Sequence, residues 1–455
     1  MPTVGAARSM RHYSYDSEHE TYARFLESVR RFGAELNRVT VQFSELSDQR
    51  CSALLEVLEN EWQRIGQNPS AFGKGRQGVR HLDLSSNQLQ SFKNSGLINM
   101  IRGNHILMSL EVQANGLGLS HEQDIQAFAN ALGTCALRRL NMTANKLGDV
   151  GLSSFFDALP STGTPLSELY LSVNTVASES GSWRAARSIA NFLSSPKKCR
   201  HIKYFHLSGN HFGWAGVRAI VHAILGSRRA CTLNGTIAAN NIPTDMLDAV
   251  APNTNLVAMD LFSTGIDTLM TSTQELLPPE LEWETYSAVT PDNWSDVLTE
   301  HLCRNQDHAR ACQLASVQLL AVARTIGCKS REANVPSTKV FPFLRLPTEL
   351  RVFIMQFIDT DNVLSHEQFI NILRWASEPS TIQFIREFGA WPPQHSSVPT
   401  ENIWGLPPWS WGEAYTWRSV PRNWYSEAME YDEWHRWQPE KLAFWENTGI
   451  STPVY

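Results

Sequence analysis

One recurring pattern constrains this chain more than any other feature. The spacing LxxLxLxxNxL occurs at VRHLDLSSNQL (79–89), LMSLEVQANGL (107–117), LRRLNMTANKL (137–147), LSELYLSVNTV (166–176) and IKYFHLSGNHF (202–212). Weaker copies lie at LNRVTVQFSEL (36–46), in a stretch ending IAANNI (237–242), and at LVAMDLFSTGI (256–266). The landmark position is then Ser44, Asn87, Asn115, Asn145, Asn174, Asn210, Asn240 and Thr264. Self-similarity of this kind means units that cannot bury an apolar face alone and must stack on their neighbours.

The commonest step between landmarks is 28–30 residues, long enough for a strand and a full helix in each unit. Helical periodicity is present where it is needed, in SHEQDIQAFANAL, GDVGLSSFFDAL and GWAGVRAIVHAIL, each with apolar residues at i, i+3, i+4 and i+7. Strands stack ~4.8 Å apart, whereas helices need ~8–10 Å between axes. A stack with strands on one side and helices on the other therefore bends, strands inside. One parallel sheet in sequence order is predicted through Leu84, Val112, Met142, Leu171, Leu207 and Leu261. The landmark asparagines are read as structural, since a side-chain amide can serve both donors and acceptors of a turning backbone.

The run LNMTANKLGDVGLSSFFDAL resembles the ribonuclease-inhibitor class of leucine-rich repeats, a class that also holds Ran GTPase-activating proteins. The whole arrangement is similar to the fungal proteins called RNI-like. That resemblance implies an α/β leucine-rich-repeat solenoid over 34–270, a horseshoe with a concave parallel sheet and convex helices. A lead and capping helix (1–33) precedes it, with an amphipathic stretch over 16–35. A proline-rich connector with two helices (271–332), a small all-α module (333–390) and a Trp-rich tail (391–455) follow. Within the all-α module, FPFLRLPTELRVFIMQFI resembles the first half of an F-box, its signature falling on Leu346, Pro347, Glu349 and Leu350, with Ile354 and Ile358 continuing the stripe. The second half departs from that family's pattern, and the favoured reading is a helical module that buries Leu350, Ile354 and Ile358. The tail carries nine of the fifteen tryptophans and is expected to pack back on the body.

Composition narrows the functional classes. The 455 residues carry 39 Lys plus Arg against 45 Asp plus Glu, with no concentrated basic face, which argues against nucleic acid as partner. The seven cysteines are scattered and odd in number, as expected of reduced thiols in the cytoplasm or nucleus. No apolar leader is read at the start, and no stretch is apolar enough for a membrane span, so no membrane is expected as partner. Gly73-Lys-Gly75-Arg-Gln-Gly78 spells a dinucleotide fingerprint, but it sits between a helix and a strand, the reverse of the order that a pyrophosphate site needs. DTDNVLSHEQF begins like a calcium loop, yet Val363 and Leu364 occupy the positions of a ligand and the turn glycine. With no HExxH, phosphate loop or GxSxG elbow, neither metal, cofactor nor catalytic residue is assigned.

Strand alternation makes the concave face readable. Between the two core leucines stand Asp83, Glu111, Asn141, Tyr170, His206, Thr236 and Asp260; two residues on stand Ser85, Gln113, Thr143, Ser172, Ser208, Ala238 and Phe262. This mixed polar surface with a few aromatics suits a folded protein better than a polyanion, with Tyr170, His206 and Phe262 as anchors. The expected function is a non-enzymatic protein-interaction scaffold. A Ran-type GTPase activator is the first alternative, disfavoured by the lack of a strongly acidic run, and an F-box-like adaptor of a cullin ubiquitin ligase is the second.

Overall fold

In the computed structural model, the residues described are 12–15, 20–33, 36–67, 78–174, 184–226, 228–229, 248–249, 252–264, 283–284, 289–332, 354–355, 357–359 and 363–377. They divide into two compact units, bounded at Asn305 and Gln306. The first unit is built on β1 (His12–Ser14), β2 (Arg38–Thr40), β3 (His81–Asp83), β4 (Ser109–Glu111), β5 (Arg139–Asn141), β6 (Glu168–Tyr170), β7 (Tyr204–His206) and β10 (Ala258–Asp260). These eight strands form one sheet, parallel throughout and in chain order, as the repeat predicts. Helices alternate with the strands: α1 (Tyr22–Phe32), α2 (Asp48–Gln67), α3 (Leu97–Ile101), α4 (Glu122–Ala131), α5 (Gly148–Ala158), α6 (Arg184–Leu193) and α7 (Gly213–Leu225).

The middle residue of each repeat strand turns to the helices. Leu82, Leu110, Leu140, Leu169 and Phe205 are all buried, while both flanking residues of β3, β5, β6 and β7 are half-buried on the opposite face. Phenylalanines fill the space between the layers. The rings of Phe156 on α5 and Phe192 on α6 lie 5.3 Å apart, and Phe205 on β7 lies 5.8 Å from Phe156. Burying a side chain of this size contributes roughly 1.5–3 kcal/mol. Close approach is also required: a Cβ on Gly118 would stand 1.9 Å from the Lys146 carbonyl oxygen of the next unit.

The landmark residues close each unit onto the next. The residue just before each takes the left-handed conformation: Phe43, Ser86, Ala114, Ala144, Val173 and Ser263 at φ 49–56°, and Gly209 at 69°. A non-glycine residue there costs roughly 1–2 kcal/mol, and the turn is held by amide bonds in compensation. Asn174, fully buried, accepts from the backbone N–H of Asn145 (3.0 Å) and Leu147 (3.3 Å) and donates to the carbonyls of Leu171 (2.8 Å) and Met142 (3.1 Å). Asn210 in turn accepts from Asn174 N–H at 2.8 Å and donates to Leu171 and Leu207. Asn87 and Asn115 make corresponding bonds to Ser44, Leu46 and Leu89.

Several features differ from the sequence reading. A strand, β1, precedes the capping helix, and that helix is shorter than 16–35 because Thr21 caps it through its side chain, accepting from Arg24 N–H. Tyr13, Tyr15 and Tyr22 gather round buried Phe25, with ring centroids 5.0–5.9 Å from it, which closes that end of the core. β10 pairs directly with β7, Ala258 opposite Tyr204 and Asp260 opposite His206. The weak copy at 237–242 lies outside the described residues, and Thr236, Ala238 and Asn240 with it. A second, small antiparallel sheet joins β8 (Arg228–Arg229), β9 (Asp248–Ala249) and β11 (Trp283–Glu284), which the repeat did not foretell.

One helix, α8 (Trp294–Glu332), replaces the two expected in the connector. Neither glycine nor proline interrupts it near 304–305, and Asn305 spends its side chain on the carbonyls of Asn253 (2.7 Å) and Leu256 (2.8 Å). With His301 Nε2 2.9 Å from the Asn253 carbonyl and Leu298 and Leu302 buried, the first turns of α8 finish the core of the first unit. In the second unit, Cys312, Ala315, Leu319 and Leu320 of α8 pack with Met355, Leu364 and, from α9 (His366–Ser377), Phe369, Ile372 and Ala376.

Of the F-box-like residues, Leu346, Pro347, Glu349 and Leu350 lie outside the described residues. Ile354 is 39% exposed and Ile358 half-buried; the inward side chain is Met355, so the expected burial of Ile354 does not hold. Gly73 and Gly75 of the glycine-rich stretch and the whole tail from Trp391 also lie outside the described residues.

Replacing Asn174 by alanine strands at least two buried N–H groups and a carbonyl. At about 1–3 kcal/mol for each unsatisfied group, Asn174→Ala should lower unfolding free energy by about 3 kcal/mol or more in urea titration. Asn130→Ala, on the exposed side of α4, should stay within about 0.5 kcal/mol of the parent.

Candidate functional site

The face of the sheet away from the helices collects the residues singled out from the sequence. Register places Asp83, Glu111, Asn141, Tyr170, His206 and Asp260 opposite one another in turn, one row across six strands. Phe262, two residues beyond Asp260, is 68% exposed. The row is not uniform. Asp83 at one end is occupied locally, accepting from Ser85 N–H at 3.0 Å and from Ser85 Oγ at 2.6 Å, with Gln42 Nε2 donating to its other oxygen. Asn141 accepts from Thr143 N–H at 3.1 Å.

From β4 to β10 the side chains join across strands. Arg139, two residues before Asn141, reaches Glu111 Oε1 at 2.8 Å on one side and Glu168 Oε2 at 3.3 Å on the other. Its guanidinium lies 4.9 Å above the Tyr170 ring. The Tyr170 hydroxyl donates to Glu168 at 3.1 Å, and its ring stacks on His206 with centroids 4.5 Å apart and planes 8° from parallel. His206 Nδ1 stands 3.8 Å from Asp260 Oδ2, and Asp260 Oδ1 accepts from Phe262 N–H at 3.1 Å. Five strands thus share one chain of contacts, Glu111–Arg139–Glu168–Tyr170–His206–Asp260.

Ionisation follows from these neighbours. Burial works against the charge of Arg139, but the Glu111 and Glu168 carboxylates outweigh it and hold the guanidinium protonated. Burial, with Glu168 beside it, raises the Tyr170 phenol, so the ring stays neutral and its hydroxyl remains a donor. Neighbouring His206 lowers the Asp260 carboxyl. At the start of β7, burial lowers Lys203 to about 7 and His201 to about 4, with Arg138 adding to both effects and Arg200 to that on His201.

Arg139 and Glu168 were absent from the residues drawn from the sequence, which took only the position between the leucines and the one two further on. Alternation applies equally two residues earlier, where His81, Ser109, Arg139, Glu168 and Tyr204 stand, and that rule could have found both.

Among the described residues no three His, Cys, Asp or Glu side chains converge to hold a metal ion. Cys312 Sγ lies 3.6 Å from His308 Nε2, but burial pushes its thiol up to about 11, and the same cause takes Cys199 to about 11. A thiol so raised stays protonated at neutral pH. No helix among the described residues is long and apolar enough to cross a membrane.

Arg139 carries the pairing across β4, β5 and β6, yet its side chain is 43% exposed, which limits the worth of the ion pairs. Arg139→Met leaves two half-buried carboxylates without their cation. It should lower stability at neutral pH by about 1–2 kcal/mol, read as a shift in thermal midpoint.

Residues 135–156 and 198–221 each match the family model described as Leucine Rich repeat, and the two segments coincide with the β5–α5 and β7–α7 units. No curated protein matches the chain. The chain carries leucine-rich repeats, and its eight-stranded parallel sheet alternating with helices has the architecture of a leucine-rich-repeat solenoid.

Proposed function

We propose that this chain is a non-enzymatic interaction scaffold that docks a folded protein on the open face of its sheet. The observation that carries the reading is the contact chain from Glu111 to Asp260, half-exposed and already cross-linked before any partner arrives, with Phe262 standing 68% exposed beside it. Side chains ordered in advance lose less conformational entropy on binding, so more of the contact energy appears as affinity. The repeat family points the same way, since leucine-rich repeats generally mediate protein–protein interaction. We assign the repeats to the ribonuclease-inhibitor class on their 28–30-residue step and full helices such as α5 and α7. Residence in the cytoplasm or nucleus accords with the described cysteines, Cys51, Cys135, Cys199, Cys303 and Cys312, all free.

The test is capture of co-purifying protein from native cells by full-length chain, followed by mass spectrometry. Tyr170→Ala with His206→Ala should remove a specific partner while the thermal midpoint falls by no more than a few degrees. Equal loss of folding and capture would place the pair in the core.

A second reading has its own support. Ile354 is 39% and Phe357 68% exposed, an apolar pair in the region where an F-box helix grips its cullin adaptor. If the chain is such an adaptor, the cullin-linked protein should co-purify, and Ile354→Ala with Phe357→Ala should abolish that while leaving the repeats folded. Its absence from the wild-type eluate removes this reading.

A further inference from the structure

We propose that the β7–β10 end of the open face recognises an arginine side chain presented by the partner protein. This rests on the docking reading above and names the chemistry it would use.

The molecule contains its own template. Arg139 is held by two carboxylates, Glu111 at 2.8 Å and Glu168 at 3.3 Å, and its guanidinium lies 4.9 Å over the Tyr170 ring. Carboxylate plus aromatic face is the combination that suits a planar guanidinium, which pairs through its edge and stacks through its plane. The same two components recur further along the sheet, with no guanidinium on them among the described residues. Asp260 ends β10 and Phe262 follows two residues on, held near it by the bond from Phe262 N–H to the Asp260 carboxylate. The Phe262 ring is 68% exposed and the Asp260 side chain 32%. Asp260 Oδ1 is fixed by Phe262 N–H at 3.1 Å, whereas Oδ2 has His206 Nδ1 at 3.8 Å, too long for a hydrogen bond.

Among the described residues, His206 is the basic side chain at ion-pair distance from Asp260, and no lysine or arginine stands that close to it. Arg139 is committed to Glu111 and Glu168, and Tyr170 lies between it and His206, with Arg139 over one side and His206 stacked on the ring. Charge complementarity favours the same occupant. Over β3 to β7 and β10, the outward strand positions hold four carboxylates, Asp83, Glu111, Glu168 and Asp260, against the single guanidinium of Arg139. Such a face attracts a cationic segment and repels a phosphate or an acidic peptide. Arginine fits better than lysine because an ammonium presents a compact, strongly hydrated charge in place of a plane that can lie on Phe262.

The test uses the full chain and N-acetyl-arginine amide as probe, with N-acetyl-citrulline amide as its uncharged isostere, followed by calorimetry or NMR titration. Saturable binding on the order of 1–10 mM is expected, with citrulline at least about tenfold weaker. Asp260→Asn, which keeps the acceptor for Phe262 N–H, and Phe262→Ala should each weaken arginine about tenfold. Asp157→Asn on the exposed side of α5 should leave it unchanged. Equal binding of citrulline, or binding indifferent to Asp260→Asn, overturns the proposal. Partner capture separates this from the docking reading. Loss of capture in Phe262→Ala but not in Asp260→Asn leaves docking standing and removes the arginine; loss in both folded variants supports it; loss in neither removes both.

Discussion

The turns that follow β3 to β7 each depend on one side-chain amide bonding to backbone that no helix or strand can satisfy. Asn87, Asn115, Asn174 and Asn210 each receive an N–H from the unit before, as Asn174 does from Asn145 and Asn210 does from Asn174, while Asn145 ties its units together by donating to the Val112 carbonyl. Those bonds fix the rise from one unit to the next and leave the rest of each unit free in length. Asn174 and Asn210 are separated by 36 residues, yet join at 2.8 Å much as Asn145 and Asn174, 29 apart, join at 3.0 Å. Insertion is tolerated because the register is set at the turn and not along the intervening chain. The left-handed residue before each landmark follows from the same requirement, even where it falls on exposed, β-branched Val173.

A three-residue strand gives one residue to the core and two to the open face. The division separates stability from recognition. Leu110, Leu140, Leu169 and Phe205 are removed from water and supply the bulk of the stabilisation, while the ion pairs and stacked rings outside are half-exposed and contribute little each. The outer positions of β3 to β7 and β10 can therefore hold an uneven set, with four carboxylates, one guanidinium and aromatics toward β10, at small cost to the fold. Their order comes from one another: Arg139 is steadied by Glu111, Glu168 and Tyr170, and Tyr170 by His206.

Legibility in the sequence tracked how local each feature is. Helices α5 and α7 stand at GDVGLSSFFDAL and GWAGVRAIVHAIL, where periodicity placed them, because an amphipathic face repeats every turn. β1 was invisible, since His12-Tyr-Ser carries no leucine pattern and its strand state comes from pairing with β2 and from the tyrosines around Phe25. The continuity of α8 was missed for a related reason: Asn305 resembles a break in sequence, and its bonds to Asn253 and Leu256 show why an asparagine stands there.

What the sequence by itself determined is the repeat, its parallel order, and which residue of each strand faces inward, for these follow from spacing within a dozen residues and from the alternation of an extended chain. The tertiary structure decided which units are neighbours and what their outer side chains do. That β10 lies beside β7 brings Asp260 to His206; that β4, β5 and β6 stack in register gives Arg139 two carboxylates and a ring. Those contacts join residues far apart in the chain, and the energy that selects them exists only once the strands have been brought within a few ångströms of each other.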